Sequence, residues 1–158
     1  MIITIGSTIK DCQGNQYLLD EKIGSGGFGA VFKAHRKNDG QIVAVKIIQD
    51  IFSDVEAFTT FQKEMNQTEL LDSENVIKYL YVHDGKEFQE YPPYIIMEYT
   101  DGGTLRDLIE SRNGLQFETA TIMEYFNQLA HGMKCISEHL VHRDIKPENI
   151  LNFHGVLK

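Results

Sequence analysis

Six consecutive residues, Gly24-Ser25-Gly26-Gly27-Phe28-Gly29, place four glycines between two runs that both read as strands. Tyr17 to Ile23 leads in, and Ala30-Val31-Phe32-Lys33-Ala34-His35 leads out with β-branched and aromatic residues. The stretch is a glycine-tipped hairpin. That reading excludes a dinucleotide-binding fold, in which a Gly-x-Gly-x-x-Gly loop runs directly into a helix whose N-terminus takes the pyrophosphate. Glycines at such a tip let the backbone approach phosphate oxygens with no Cβ in the way. Taken alone, the same glycines suit a purely structural hairpin equally well.

The flanking text extends the hairpin into a sheet. Asn38-Asp39-Gly40 signals a second turn, and Gln41 to Ile48 reads as a third strand, in which Lys46 points away from the face shared by Val45 and Ile47. Ser53-Asp54-Val55-Glu56 has the form of a capping box, and Phe58, Phe61, Met65 and Thr68 follow at helical spacing, predicting a helix from about Asp54 to Leu71. Val76 to Val82 and Tyr94 to Glu98 read as strands, separated by the turn Asp84-Gly85-Lys86 and the restricted Tyr91-Pro92-Pro93. Residues 1–16 contain one short β-branched run, Ile2 to Ile5, and a turn, and form a flank with no assigned role. From Thr104 the period becomes helical. Thr104-x-x-Asp107 predicts an N-terminal cap for a short helix ending near Asn113-Gly114. Ile122, Phe126, Leu129, Met133, Ile136 and Leu140 then mark the core stripe of a long helix, with His131 and His139 off that stripe and solvent-facing.

With 158 residues the chain has room for one domain, or one and a fraction, around a real core. Its 42% hydrophobic and 24% charged residues match an ordinary globular protein, and no apolar run is long enough to cross a bilayer. No export leader is legible, so a cytoplasmic location is expected. Cys12 and Cys135 stand far apart with no metal-ligand spacing around them, which argues against disulfides or a zinc site. A net charge of −8 disfavours general affinity for nucleic acid or an acidic membrane, so any bound nucleotide must be met by local chemistry.

The long helix leads into Leu140-Val141-His142-Arg143-Asp144-Ile145-Lys146-Pro147-Glu148-Asn149-Ile150-Leu151. His-Arg-Asp, four residues, then Asn resembles the catalytic loop of protein kinases. The upstream motifs occur in that family's order. Gly24-x-Gly26-x-x-Gly29-x-Val31 resembles its glycine-rich loop, Val43-Ala44-Val45-Lys46 its Val-Ala-Ile-Lys strand, and Met97-Glu98-Tyr99-Thr100-Asp101-Gly102-Gly103 its hinge. The resemblance covers residues 17–158. It implies an α+β, protein-kinase-like fold: a five-stranded antiparallel small lobe with one long helix (residues 17–98), a hinge (99–103), and the first helices of a mainly helical large lobe (104–158), after the flank 1–16.

The same resemblance implies ATP and Mg2+ as cofactors and a protein Ser/Thr hydroxyl as acceptor, with no nucleic-acid or membrane partner. Gly24, Ser25, Gly26, Gly27, Phe28, Gly29, Val31, Ala44, Lys46, Met97, Glu98, Thr100 and Leu151 would surround the nucleotide. Lys46 would contact phosphates, and Glu64, on the predicted helix, would pair with it. Asp144 would orient and deprotonate the attacking hydroxyl, and Lys146 would offset charge on the transferred group. Asn149 would offer its amide oxygen to magnesium. His142 and Arg143 would hold the loop in shape. An aminoglycoside-type phosphotransferase would carry Gly in place of Arg143 and lack the Lys-Pro-Glu run.

Some residues depart from the family pattern. Ser73 stands where His is common, and Thr68 stands at an apolar position of the family's spine. Asn152-Phe153-His154-Gly155-Val156-Leu157-Lys158 resembles the turn preceding the Asp-Phe-Gly motif, and that motif does not follow. The expectation is therefore a Ser/Thr kinase domain that is incomplete and inactive alone, with apolar surface left uncovered on the long helix. The alternative is a non-catalytic nucleotide-binding or partner-docking module.

Overall fold

A computed structural model describes residues 3–26, 29–48, 71–88, 90–139, 141–142 and 144–158. Leu140, Gly27, Phe28, Arg143, Glu64 and the helix expected from about Asp54 lie outside the described residues. The chain divides into two compact units, Met1–Asn66 with Lys78–Tyr99, and Gln67–Ile77 with Thr100–Lys158.

The first unit is built on one antiparallel sheet. Its strands are β1 (Thr8–Lys10), β2 (Gln16–Gly26), β3 (Gly29–Arg36), β4 (Ile42–Ile48), β5 (Tyr79–His83) and β6 (Tyr94–Glu98), in the spatial order β1-β2-β3-β4-β6-β5. All five expected strands are present, and the flank adds a sixth. That sixth strand is Thr8–Lys10, not the β-branched run at Ile2 to Ile5. The ladder also reaches further into the glycines than expected, since Gly26 pairs with Gly29 and only the tip is left between them. Conversely, β5 begins at Tyr79 instead of Val76. Ser73 takes the preceding residues into a turn, its hydroxyl accepting from the Asn75 N–H and its carbonyl from that of Val76.

Strand alternation sorts the sheet into two faces. Ala30 lies opposite Ile47, Phe32 opposite Val45 and Ala34 opposite Val43; Val45 and Ile47 in turn lie opposite Ile96 and Tyr94. These residues are all buried and form the core. The flank closes over them. Ile3 and Ile9 join the core, the Leu19 N–H donates to the Ser7 carbonyl while the Leu19 carbonyl accepts from the Gly6 N–H, and the Tyr94 hydroxyl donates to the Lys10 carbonyl. Asp11 anchors the following turn by accepting from Gln13 N, Asn15 N, Asn15 Nδ2 and Tyr17 Oη at 2.8–2.9 Å. Burial by itself would raise its carboxyl pKa, but those hydrogen bonds outweigh it and hold the group below its ordinary value.

His83 ends β5 at 1% exposure, with its ring 4.6 Å from that of Tyr94 and 5.4 Å from that of Phe88. Neither ring nitrogen has a partner of hydrogen-bond geometry among the described residues. Burial pushes its pKa below the ordinary 6.5, against weaker opposing pulls from the Phe88 and Tyr91 backbone and the Asp84 and Glu87 carboxylates. The unfolded chain therefore binds more protons than the folded one below pH 6.5. Stability contributed by neutral His83 is complete above that pH and is lost as the pH falls below it. In urea denaturation at pH 7.5 and pH 5.5, wild type should lose stability at the lower pH, and His83→Phe should lose measurably less. Equal losses would show that His83 does not report on this region.

The second unit contains α1 (Leu105–Ser111), α2 (Thr119–Ser137), a 3-10 turn (Pro147–Asn149) and a small hairpin of β7 (Asn152–Phe153) and β8 (Val156–Leu157). Thr104 caps α1 as expected, accepting from the Asp107 N–H, while the Asp107 carboxylate accepts from the Thr104 N–H. Asn113 and Gly114 follow the helix in left-handed backbone, with φ of 50° and 84°. The stripe on α2 is only half a core stripe. Leu129, Met133 and Ile136 are partly buried, whereas Ile122 and Phe126 are 39% and 65% exposed, which corrects the reading of the whole run as core and accords with the expectation of uncovered apolar surface on this helix. The difference follows packing: Gly132 is the buried point of α2, where an added Cβ would stand 2.5 Å from the Asn75 carbonyl oxygen.

Candidate active site

The register brings several expected nucleotide residues onto the sheet face opposite the core. Gly24 lies opposite Val31, Val31 opposite Lys46, and Lys46 opposite Ile95. In the adjacent row Glu21 lies opposite Lys33, Lys33 opposite Ala44, and Ala44 opposite Met97. Directly opposed residues of an antiparallel pair share a face, so Gly24, Val31, Ala44, Lys46 and Met97 line one surface. Burial lowers the pKa of Lys46 from the usual lysine value, and no described carboxylate forms an ion pair with it. A desolvated ammonium on a sheet face is a favourable place for an anion, because the cation has already lost part of its hydration.

Other expected residues are placed differently. Ser25 lies opposite Ala30, in the row of the core face. Glu98 lies opposite Val43, and its carboxylate accepts from the Lys78 N–H at 2.8 Å. Its expected contribution was through the backbone, and its N–H donates to the Lys78 carbonyl at 3.0 Å. Thr100 lies in the second unit.

Within that unit, Asp144, Lys146 and Asn149 converge. Lys146 Nζ stands 2.9 Å from Asp144 Oδ2, and Asn149 Nδ2 donates to the same oxygen at 2.8 Å and to the Asp144 carbonyl at 2.9 Å. The 3-10 turn explains the convergence, since Pro147 starts it and the Asn149 N–H closes back on the Lys146 carbonyl. His142 lies at the other end of the loop, its carbonyl accepting from the Asp144 N–H at 2.9 Å, in keeping with a shaping role. The hydrogen bonds from Lys146 and then Asn149 lower the Asp144 pKa, so the carboxylate is ionised at neutral pH and weakly basic. With Asn149 Nδ2 turned toward Asp144, its Oδ1 is the end left for a hard cation. The described residues contain no group of three His, Cys, Asp or Glu placed to hold a metal.

Leu151 is fixed by the backbone: it bridges to Thr104 and exchanges both of its hydrogen bonds with Lys158. The glycine pair before α1 permits this. A Cβ on Gly102 would fall 2.2 Å from the Asn152 carbonyl oxygen, and Gly103 has a φ of +69°. Three positioning residues were not apparent from the sequence. The Leu157 N–H donates to Gln128 Oε1 at 2.6 Å, its carbonyl accepts from Asn75 Nδ2 at 2.9 Å, and Arg106 pairs with Glu148 at 2.9 Å. Each has its partner far along the chain, where local patterning carries no signal.

The model of the protein kinase domain matches residues 17–158, and the chain belongs to the protein kinase family. It is 35% identical over 148 residues to the Clostridium perfringens protein named probable serine/threonine-protein kinase CPE1738, covering 92% of this chain and 21% of that protein. It is 34% identical over 163 residues to the rat interferon-induced, double-stranded RNA-activated protein kinase (86% and 30% covered). It is also 39% identical over 140 residues to the MAP kinase kinase kinase SSK2 of Saccharomyces cerevisiae (86% and 8%). The chain thus spans less than a third of these relatives. Among the described residues, no helix is long and apolar enough to cross a membrane.

Proposed function

We propose that the chain carries the nucleotide-binding and catalytic-loop portion of an ATP-dependent kinase acting on protein Ser/Thr hydroxyls. The observation that carries this reading is the shared sheet face on which Val31, Ala44 and Met97 surround the desolvated Lys46. Apolar side chains suit a planar base, and the ammonium suits phosphate. Glu64 is the proposed partner that orients Lys46.

In the catalytic loop, Asp144 accepts a hydrogen bond from the acceptor hydroxyl and aims it. Because Asp144 is a weak base, it takes the proton as the new bond to phosphorus forms and not before. Lys146, already at hydrogen-bond distance from Asp144, supplies positive charge where the transferred group gains negative charge. Bound Mg2+ would neutralise phosphate charge, with Asn149 Oδ1 as its protein ligand in this loop. The Ser/Thr assignment rests on Lys146 two positions after Asp144 and on relatives named as Ser/Thr kinases.

Incubation with γ-labelled Mg-ATP and matched Ser, Thr and Tyr peptides tests the reading. Label on the Ser or Thr peptide is expected from a protein that carries this chain within a whole kinase domain. Nucleotide binding with no transfer to any peptide would favour a non-catalytic nucleotide-binding module.

A further inference from the structure

Lys33 has no assigned role in the site, yet the register places it on the nucleotide face, directly opposite Ala44 and one row from Val31 and Lys46. Its ammonium lies 5.1 Å from the centroid of the Tyr99 ring, within cation–π range. Tyr99 sits just past the sheet ladder, whose last β4–β6 pair is Val43 with Glu98. The β4–β6 ladder does not extend to Tyr99. A side chain reaching from β3 to the Tyr99 ring restores a hold on that backbone.

We propose that Lys33 is a positioning residue of the nucleotide site: by holding the Tyr99 ring it fixes where the Tyr99 backbone presents its polar groups to a base. The inference rests on the nucleotide reading above. It makes Lys33 act through Tyr99 and not on phosphate, although a lysine on this face would ordinarily be read as a phosphate ligand. It also assigns the cation itself, since arginine stacks on an aromatic ring as well as lysine does and methionine supplies only the apolar stem.

The test combines amide hydrogen exchange of the ligand-free chain with affinities for adenosine and Mg-ATP. Lys33→Met should speed exchange at the Tyr99 amide and weaken both ligands by the same factor, roughly threefold to fivefold, the size of an exposed cation–π contact. Lys33→Arg should restore both readouts, and Lys33→Met should add nothing in a Tyr99→Leu background. A loss confined to Mg-ATP would overturn the inference in favour of a phosphate ligand. Unchanged exchange, or a full additional loss in the Tyr99→Leu background, would overturn it as well. If the wild-type chain binds neither ligand, the nucleotide reading fails and takes the inference with it. Binding by the wild type with either of the preceding results sinks the inference alone.

Discussion

In a protein that carries this chain within a whole kinase domain, replacing Asp144 by Asn is expected to lower phosphoryl transfer to a Ser/Thr peptide by roughly a hundredfold to ten-thousandfold, the contribution of a positioned base. Mg-ATP affinity should change by less than about twofold, because this substitution targets the acceptor hydroxyl. The substitution is a narrow one. Asn149 Nδ2 and Lys146 both donate to Asp144 Oδ2, and an Asn side-chain oxygen can still accept there, so the loop geometry survives while the negative charge is removed. Rate measurements at saturating Mg-ATP, paired with a binding titration, separate the two effects. Transfer within threefold of wild type would remove Asp144 from the proposed chemistry.

Lys46→Met should weaken Mg-ATP binding by roughly tenfold to a hundredfold, the range expected for hydrogen bonds to a charged group. The sheet should tolerate the change. Lys46 pairs across to Val31 and Ile95, and its pKa is lowered by desolvation, so an unbranched apolar side chain removes an unfavourably placed charge without opening a large gap. Thermal denaturation of the ligand-free variant is therefore expected at or above the wild-type midpoint. Calorimetric titration provides the affinity, and adenosine, which has no phosphate, should bind both proteins equally. A variant that unfolds earlier than wild type and loses adenosine as well would mean that Lys46 holds the sheet together.

The sequence made the hairpin, β3, β4, β6 and the α1 cap legible, because glycine, β-branched runs and Thr104-x-x-Asp107 act through local geometry. It also made the convergence at Asp144 legible, since Pro147 and the short spacing to Asn149 force a tight turn. What it concealed depends on distant partners. The register shifts between Leu19 and Glu21 and between Lys22 and Gly24 decide which β2 residues share a face with Val31, and no period-two pattern announces them. Asn75 lies in the loop before β5, and its amide is spent on the Leu157 carbonyl 82 positions away. Phe126 fits the α2 stripe by spacing, but burial depends on what packs there, and the buried point lies a turn and a half further along at Gly132. Lys33 reads locally as a solvated strand lysine; only the path of the chain after β6 brings Tyr99 to it.

The central claim is that one face of the sheet is the nucleotide site and the other is core. Methyl NMR spectra of the chain recorded with and without Mg-ATP test it at side-chain resolution. Shifts are predicted for Val31, Ala44, Met97 and Ile95, with Val43, Val45 and Ile96 on the opposite face nearly unmoved. Shifts concentrated on Val43, Val45 and Ile96, or saturating Mg-ATP that moves neither set, would contradict it.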